Sequence, residues 1–253
     1  NEFAEIENYT RLLILGPDAV LTHEDRFAGE EGVYLADSAF FDVFSYDLLH
    51  GNKETALNEP FTVIITQNTA RMLFEDENPV GQEIVMNASN FDGNSVPFKV
   101  TGVIEDFPAN THLKPALLIS YATLFEFVGH DFDESWTWNE TYTYFKLRPG
   151  TDPQALSAGF PEVVHRFNKV ELDEQQLDWQ YQLQPITDIH LHSDLQHELA
   201  FTDAVNGSAF YVYFLAVVGL MILLIAYINF VNLVTVKALN RAKEVGIRKV
   251  SGA

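Results

Sequence analysis

The chain has no cysteine among its 253 residues. That excludes disulfides, thiolate nucleophiles and cysteine-based zinc sites, and it leaves the redox compartment open. A phosphate-binding loop, a Gly-x-Ser-x-Gly nucleophile elbow, dinucleotide-binding glycines and a His-Glu-x-x-His pair are also missing. The chain is therefore expected to be non-catalytic, without a cofactor and without ATP hydrolysis of its own. Basic residues are scarce, with 15 Lys and Arg against 36 Asp and Glu, a net charge of −21. Five of the 15, Lys237, Arg241, Lys243, Arg248 and Lys249, fall in residues 237–253 beside a single acid, Glu244. Residues 1–236 then hold ten basic and 35 acidic groups. So acidic a body repels phosphate backbones, and nucleic acid is not expected as a partner.

Charge is absent altogether between Asp203 and Lys237, a stretch of 33 residues. Inside it, residues 209–228 read AFYVYFLAVVGLMILLIAYI. Twenty helical residues at about 1.5 Å each match the roughly 30 Å hydrocarbon core of a bilayer. Phe210, Tyr211, Tyr213 and Phe214 supply interfacial aromatics at one end, and the basic cluster marks the cytoplasmic end. These features predict a large extracytoplasmic domain joined to one membrane-crossing helix, with a short basic tail inside the cell and the lipid bilayer as a partner. The uncharged stretch spans about 50 Å as helix, more than a bilayer requires. A stiff rod is thus expected between the outer domain and the cytoplasm. The chain opens on Asn1, with no basic region followed by an apolar one, so an earlier membrane helix and a longer protein are expected.

The rest reads as mixed α/β. Residues 2–9 suit a helix end, and 9–15 and 33–36 suit short strands. Ser38 can cap a helical turn carrying Phe40, Phe41 and Phe44. Residues 61–66, FTVIIT, form a β-branched strand, after which Thr66 caps a helix through Phe74 with Ala70, Leu73 and Phe74 on one face. Strands are predicted around 83–86, 98–104 and 115–120, with a turn-rich loop at 87–97. Residues 136–147 alternate, with Trp136, Trp138, Tyr142 and Tyr144 on the side expected to be buried. A helix from Pro153, capped by Thr151 and bent near Pro161, precedes a last strand at 179–184, which completes a β-α-β unit.

The tail LNRAKEVGIRKVSGA reads as a second, amphipathic helix, with Leu239, Ala242, Val245, Gly246, Val250 and Ala253 opposite Lys237, Arg241, Glu244 and Arg248. Such a helix can bind anionic lipid or dock a cytoplasmic partner. Asn229 and Asn232, three apart near the inner end of the span, mark a face for interhelical hydrogen bonds. His190, His192 and His197 stand near Asp188, Asp194 and Glu198, but their spacing suits a strand rather than one helix face and matches no familiar zinc pattern. No metal is expected; His190 and His192 would be its candidates. The acidic groups Glu24/Asp25, Glu30/Glu31, 75–77 and 131–134 read as solvated loops.

Residues 229–253, NFVNLVTVKALNRAKEVGIRKVSGA, resemble the end of the second membrane helix and the following cytoplasmic helix of FtsX/MacB-type ABC transporter permeases. The resemblance extends upstream to their periplasmic core domain, through SAFFDVFSYDLLHGN (38–52), TQNTARMLFEDENPVGQEI (66–84), VTGVIEDFPANTHL (100–113) and ITDIHLHS (186–193). It implies an α/β (α+β) extracytoplasmic domain in which 1–60 and 136–205 form a porter-like part with β-α-β units and 61–135 a small inserted subdomain. Residues 206–236 would then be a long transmembrane helix and 237–253 an amphipathic cytoplasmic coupling helix. Implied partners are a cytoplasmic ABC ATPase, a second permease copy in a homodimer, and a periplasmic adaptor or outer-membrane channel. The implied location is the bacterial inner membrane, with 1–205 in the periplasm. Arg241, Glu244, Gly246, Arg248 and Gly252 are the residues expected at the ATPase contact. Gly246, lacking a side chain, would admit a close backbone approach. The implied function is coupling of ATP hydrolysis on the partner to movement of the outer domain, for export. The alternatives are FtsX-like activation of a cell-wall hydrolase and, more remotely, a membrane-anchored metal-dependent hydrolase.

Overall fold

The computed structural model describes residues 3–88, 94–108, 110–130, 141–175, 181–189 and 208–252. The outer body begins with a long hairpin, where helix end and short strands were expected. Strand β1 (Ile6–His23) turns at Glu24 and Asp25 into β2 (Arg26–Ala36), and the pairing runs from Leu12↔Ala36 to His23↔Arg26. Gly16 does not end the strand, because a register shift between Ile14 and Gly16 absorbs the irregularity. On β2, Leu35 and Val33 share the core with Ala28, so the inward parity changes between Val33 and Ala28. Gly32 lies there at φ 80°, where a Cβ would stand 2.6 Å from the Lys114 carbonyl oxygen. Only glycine fits that kink.

A short helix, α1 (Phe40–Val43), follows and buries Phe40. Ala39, not Ser38, is its N-cap, and no side chain caps it. Strand β3 (Leu48–Gly51) leads to β4 (Thr62–Thr66), all five residues of which are buried. The expected helix after it is α2 (Gln67–Phe74), with Thr66 Oγ1 accepting from the Thr69 N–H and with Ala70, Leu73 and Phe74 buried. Thr66→Ala is expected to cost about 1 kcal/mol of outer-domain stability; chemical denaturation of the two proteins checks this.

Strands β5 (Glu83–Ala88), β6 (Ser95–Ile104) and β7 (Leu117–Ser120) come next, then helix α3 (Ala122–Val128) and β8 (Thr141–Leu147). Helices α4 (Pro153–Ser157) and α5 (Phe160–Gln175) divide the expected bent helix, and Asp152 rather than Thr151 caps it, its carboxylate accepting from the Gln154 N–H at 2.9 Å. Residues 181–184 are not strand, so the expected β-α-β unit has no closing strand there; 176–180 lie outside the described residues. Pro185 and the short 3-10 turn Ile186–Asp188 follow.

The eight strands of the described residues belong to one mixed sheet in the order β2-β7-β4-β6-β5-β1-β8, with β3 on β6 and β1 also on β2. The pairs β2–β7 and β4–β6 are parallel, and the others are antiparallel. The pairings close β1, β2, β7, β4, β6 and β5 into a ring. Alternate residues of all six, among them Leu21, Val33, Ile65, Met86, Phe98 and Ile119, meet in one core with Leu73 and Phe74 of α2. The opposite parity, including Leu12, Tyr34, Ile64 and Leu118, packs with Phe40 in a second core. That alternation is the period-two signature of strands buried on both faces. Strands from 61–135 and from 1–60 thus share one sheet, with no break at the expected boundary.

Candidate functional site

The second unit of the chain is dominated by α6 (Ala209–Val250), an uninterrupted helix of 42 residues. At about 1.5 Å per residue it is about 63 Å long, roughly twice a bilayer core. It is long and apolar enough to cross a membrane, and none of its apolar window is buried. The sequence accounts for the continuity. Residues 209–250 contain no proline, and their Leu, Ala, Met, Lys and Arg residues are good helix formers. Ser208 is the N-cap, without a side-chain cap bond. At the other end the Ser251 N–H bonds the Ile247 carbonyl at 3.0 Å, and Gly252 takes φ 81°. A glycine in this left-handed conformation just past the cap stops a helix. Arg248 and Lys249 fall in the last turn, where cations complement the macrodipole.

No break separates span from tail. The second helix expected from 237 is the continuation of the first. Continuity fixes the angular relations of the candidate residues at about 100° per residue. Lys237, Arg241, Glu244 and Arg248 lie within about 60° of one another, so the structure brings these charges onto one side. Gly246 stands about 160° from Arg248, on the other side with Leu239, Ala242 and Val250. Gly252 lies beyond the helix. The five residues expected at an ATPase contact therefore do not form one flat patch.

Asn229 and Asn232 are about 60° apart and exposed on α6. Thr235 returns its hydroxyl to the Val231 carbonyl at 2.8 Å, so it is satisfied within its own helix. His190 and His192, like Trp136 and Trp138, lie outside the described residues. Among the described residues, no group of three or more His, Asp or Glu is placed to hold a metal ion. Tyr142 and Tyr144 are half-buried on β8. The Tyr144 ring packs against Phe44 at 5.1 Å, and its hydroxyl lies 3.0 Å from His112 Nε2.

The acidic pairs behave less uniformly than expected. Glu24 and Asp25 are an exposed turn, but Glu30 is half-buried on the core side of β2 and accepts from Thr69 Oγ1 at 2.7 Å. Sequence reasoning missed this because the parity change at Gly32 reverses which β2 residues point inward. The pair Arg11–Asp37 was missed as well. Arg11 Nε and a terminal guanidinium nitrogen reach the two Asp37 carboxylate oxygens at 2.9 and 3.0 Å.

The sequence profile of the MacB-like periplasmic core domain matches residues 7–163. No curated protein matches the chain. Among solved structures, a domain of a protein described as a permease from Porphyromonas gingivalis is similar at 24% identity and a TM-score of 0.56, covering 68% of this chain and 76% of that one. The periplasmic region of MacB from Actinobacillus actinomycetemcomitans aligns at 14% identity and a TM-score of 0.47, covering 70% and 80%. The extracellular domain of the noncanonic ABC-type transporter YknZ from Gram-positive bacteria aligns at 13% and 0.44, covering 72% and 83%.

Proposed function

The chain belongs to the MacB-like periplasmic core domain family, the extracytoplasmic part of ABC-transporter permeases, and from that premise we propose that it is a force-transmitting permease subunit. It is an inner-membrane protein with a periplasmic segment, from a family of transporter permease components. ATP binding and hydrolysis on a partner ABC ATPase move the charged end of α6. The helix carries that displacement across the lipid to the outer domain, which drives export. The observation that carries this reading is the unbroken run of α6 from an apolar span into a charged end. A rod transmits displacement that a flexible linker would absorb.

Arg241, Glu244, Gly246 and Arg248 form the ATPase contact, and Gly252 ends the helix beside it. Asn229 and Asn232 bond to neighbouring membrane helices, each such bond contributing about 0.6 to 2 kcal/mol in lipid. Two copies act together with two ATPases, and an adaptor or outer-membrane channel receives the substrate. Co-expression with an ABC ATPase from the same cell, followed by purification in detergent, is expected to yield a stable complex whose ATPase rate depends on the permease. Failure to recover any ABC ATPase would overturn the proposal. Recovery of a cell-wall hydrolase on the outer domain, with no exported solute, would replace export with FtsX-like signalling.

A further inference from the structure

Residues 1–236 hold ten basic and 35 acidic groups, a net of −25, yet one face of the sheet carries no charge. The register sets its residues in two rows across β2, β1 and β5. Phe27, Thr22 and Val85 stand abreast, and Gly29, Val20 and Asn87 stand abreast one pleat along. On β6 the rows continue with Pro97 and Ser95. Leu21, Ala28, Met86 and Phe98 alternate with them and turn into the core, so the rows face outward. Phe27 is 69% exposed and Val20 51%. The next row, Glu83 beside Lys99, sets opposite signs together and closes the neutral area. A lone exposed valine needs no account, but a bare ring beside it on an uncharged four-strand surface marks a place of contact.

A second copy of this chain is the occupant that fits. Two bodies of net −25 repel over most of their surfaces, and they approach closely only where neither presents a charge. A basic partner would be drawn to the acidic loops instead. Shape agrees with charge. Phe27 and Gly29 stand on one side of one strand, about 7 Å apart. A two-fold axis between two facing sheets, crossing the strands at Ala28, sets each Phe27 against Gly29 of the other copy. A ring opposite a missing side chain suits sheets about 10 Å apart. A Cβ at Gly29 would meet nothing within 4 Å, so that notch is open. The same axis faces Val20 with Thr22 and Val85 with Asn87, and no charge meets another.

We propose that the outer domains of two permease copies meet through this face, each Phe27 seated over Gly29 of the other copy; the inference rests on the two-copy reading above. Four strands about 4.8 Å apart and four residues of about 3.4 Å give about 260 Å² per copy. That is a third of the roughly 800 Å² each partner buries in a stable complex. The contact therefore forms between domains already tethered by their membrane helices, which supply a high effective concentration. It is weak enough to part when the domains are driven.

Exchange of ring and notch tests this. The chain has no cysteine, so Asn87→Cys supplies a single exposed reporter, about 12 Å from its equivalent across the proposed axis. Membranes holding the full chain and its ATPase are treated with a bismaleimide of matching span, and the cross-linked dimer is measured. Gly29→Phe sets ring against ring, and it is expected to lower the yield by about tenfold. Phe27→Gly combined with Gly29→Phe moves ring and notch to each other's place, and the yield should return. No cross-link in the parent, capture of a different protein in its stead, or a combined variant as weak as Gly29→Phe overturns the proposal. The mass of the purified complex separates the failures. Two copies without the cross-link sink this contact alone, whereas a single copy sinks the two-copy reading with it.

Discussion

Reversing both arginines on the charged side of α6, Arg241→Glu with Arg248→Glu, is expected to abolish recovery of the ATPase with the permease. The two groups lie about 20° apart around the helix and flank Glu244. In the proposed contact they meet one partner surface together, and reversal would turn two attractions into repulsions. Losing one member of a buried, hydrogen-bonded charge pair costs about 2–5 kcal/mol at an interface. Two such losses weaken binding by at least two to three orders of magnitude. Unchanged co-purification would remove the docking assignment.

Gly246 tests the same contact from the other side. A mid-helix glycine costs about 1 kcal/mol relative to alanine, so Gly246→Ala strengthens the isolated helix. If Gly246 is only a weak point, that variant docks as well as the parent or better. If the partner backbone approaches it closely, docking weakens although the helix is firmer. Loss in both Gly246→Ala and the double reversal requires a cleft that takes the helix from two sides, because these residues stand about 160° apart.

Local pattern revealed some parts of this molecule well. The run FTVIIT with Thr66 and the i, i+3, i+4 spacing of Ala70, Leu73 and Phe74 contains strand, cap and buried face within fourteen residues, and the structure reproduces all three. The apolar run of α6 was equally plain. What escaped depends on distant partners. Residues 16–23 continue β1 because β2 and β5 pair with them, although Gly16 and Pro17 suggest an ending. Continuity of α6 through Lys237 was hidden by the change from apolar to amphipathic pattern, which alters what surrounds a helix without breaking it. The inward turn of Glu30 depends on one kinked glycine. The charged candidates Lys237, Arg241, Glu244 and Arg248 fall on one side of α6, whereas Gly246 shares their sequence window and not their side.

Arg11 shows how much stability rests on a pair with no local sequence mark, since Asp37 is 26 residues away. The carboxylate of Asp37 accepts from Arg11 Nε, from a terminal guanidinium nitrogen and from the Arg11 backbone N–H, at 2.9, 3.0 and 2.9 Å. The guanidinium lies 4.3 Å from the centre of the Tyr121 ring. Tyr121 precedes α3, and its N–H bonds Ala36 at the end of β2. One cation thus joins β1, the end of β2 and the start of α3. Both side chains are only about a fifth exposed (21% and 18%), so water screens the pair weakly. Arg11→Ala strands a poorly solvated carboxylate and removes the cation–π contact. The outer domain should lose about 3 kcal/mol, read as a lower urea midpoint with an unchanged slope. Asp37→Ala should cost at least as much, because it also leaves the Arg11 N–H without its acceptor. The double variant should lose less than the sum of the two, since neither charge is then left alone. Strict additivity would mean that the two groups act independently, against the bidentate geometry.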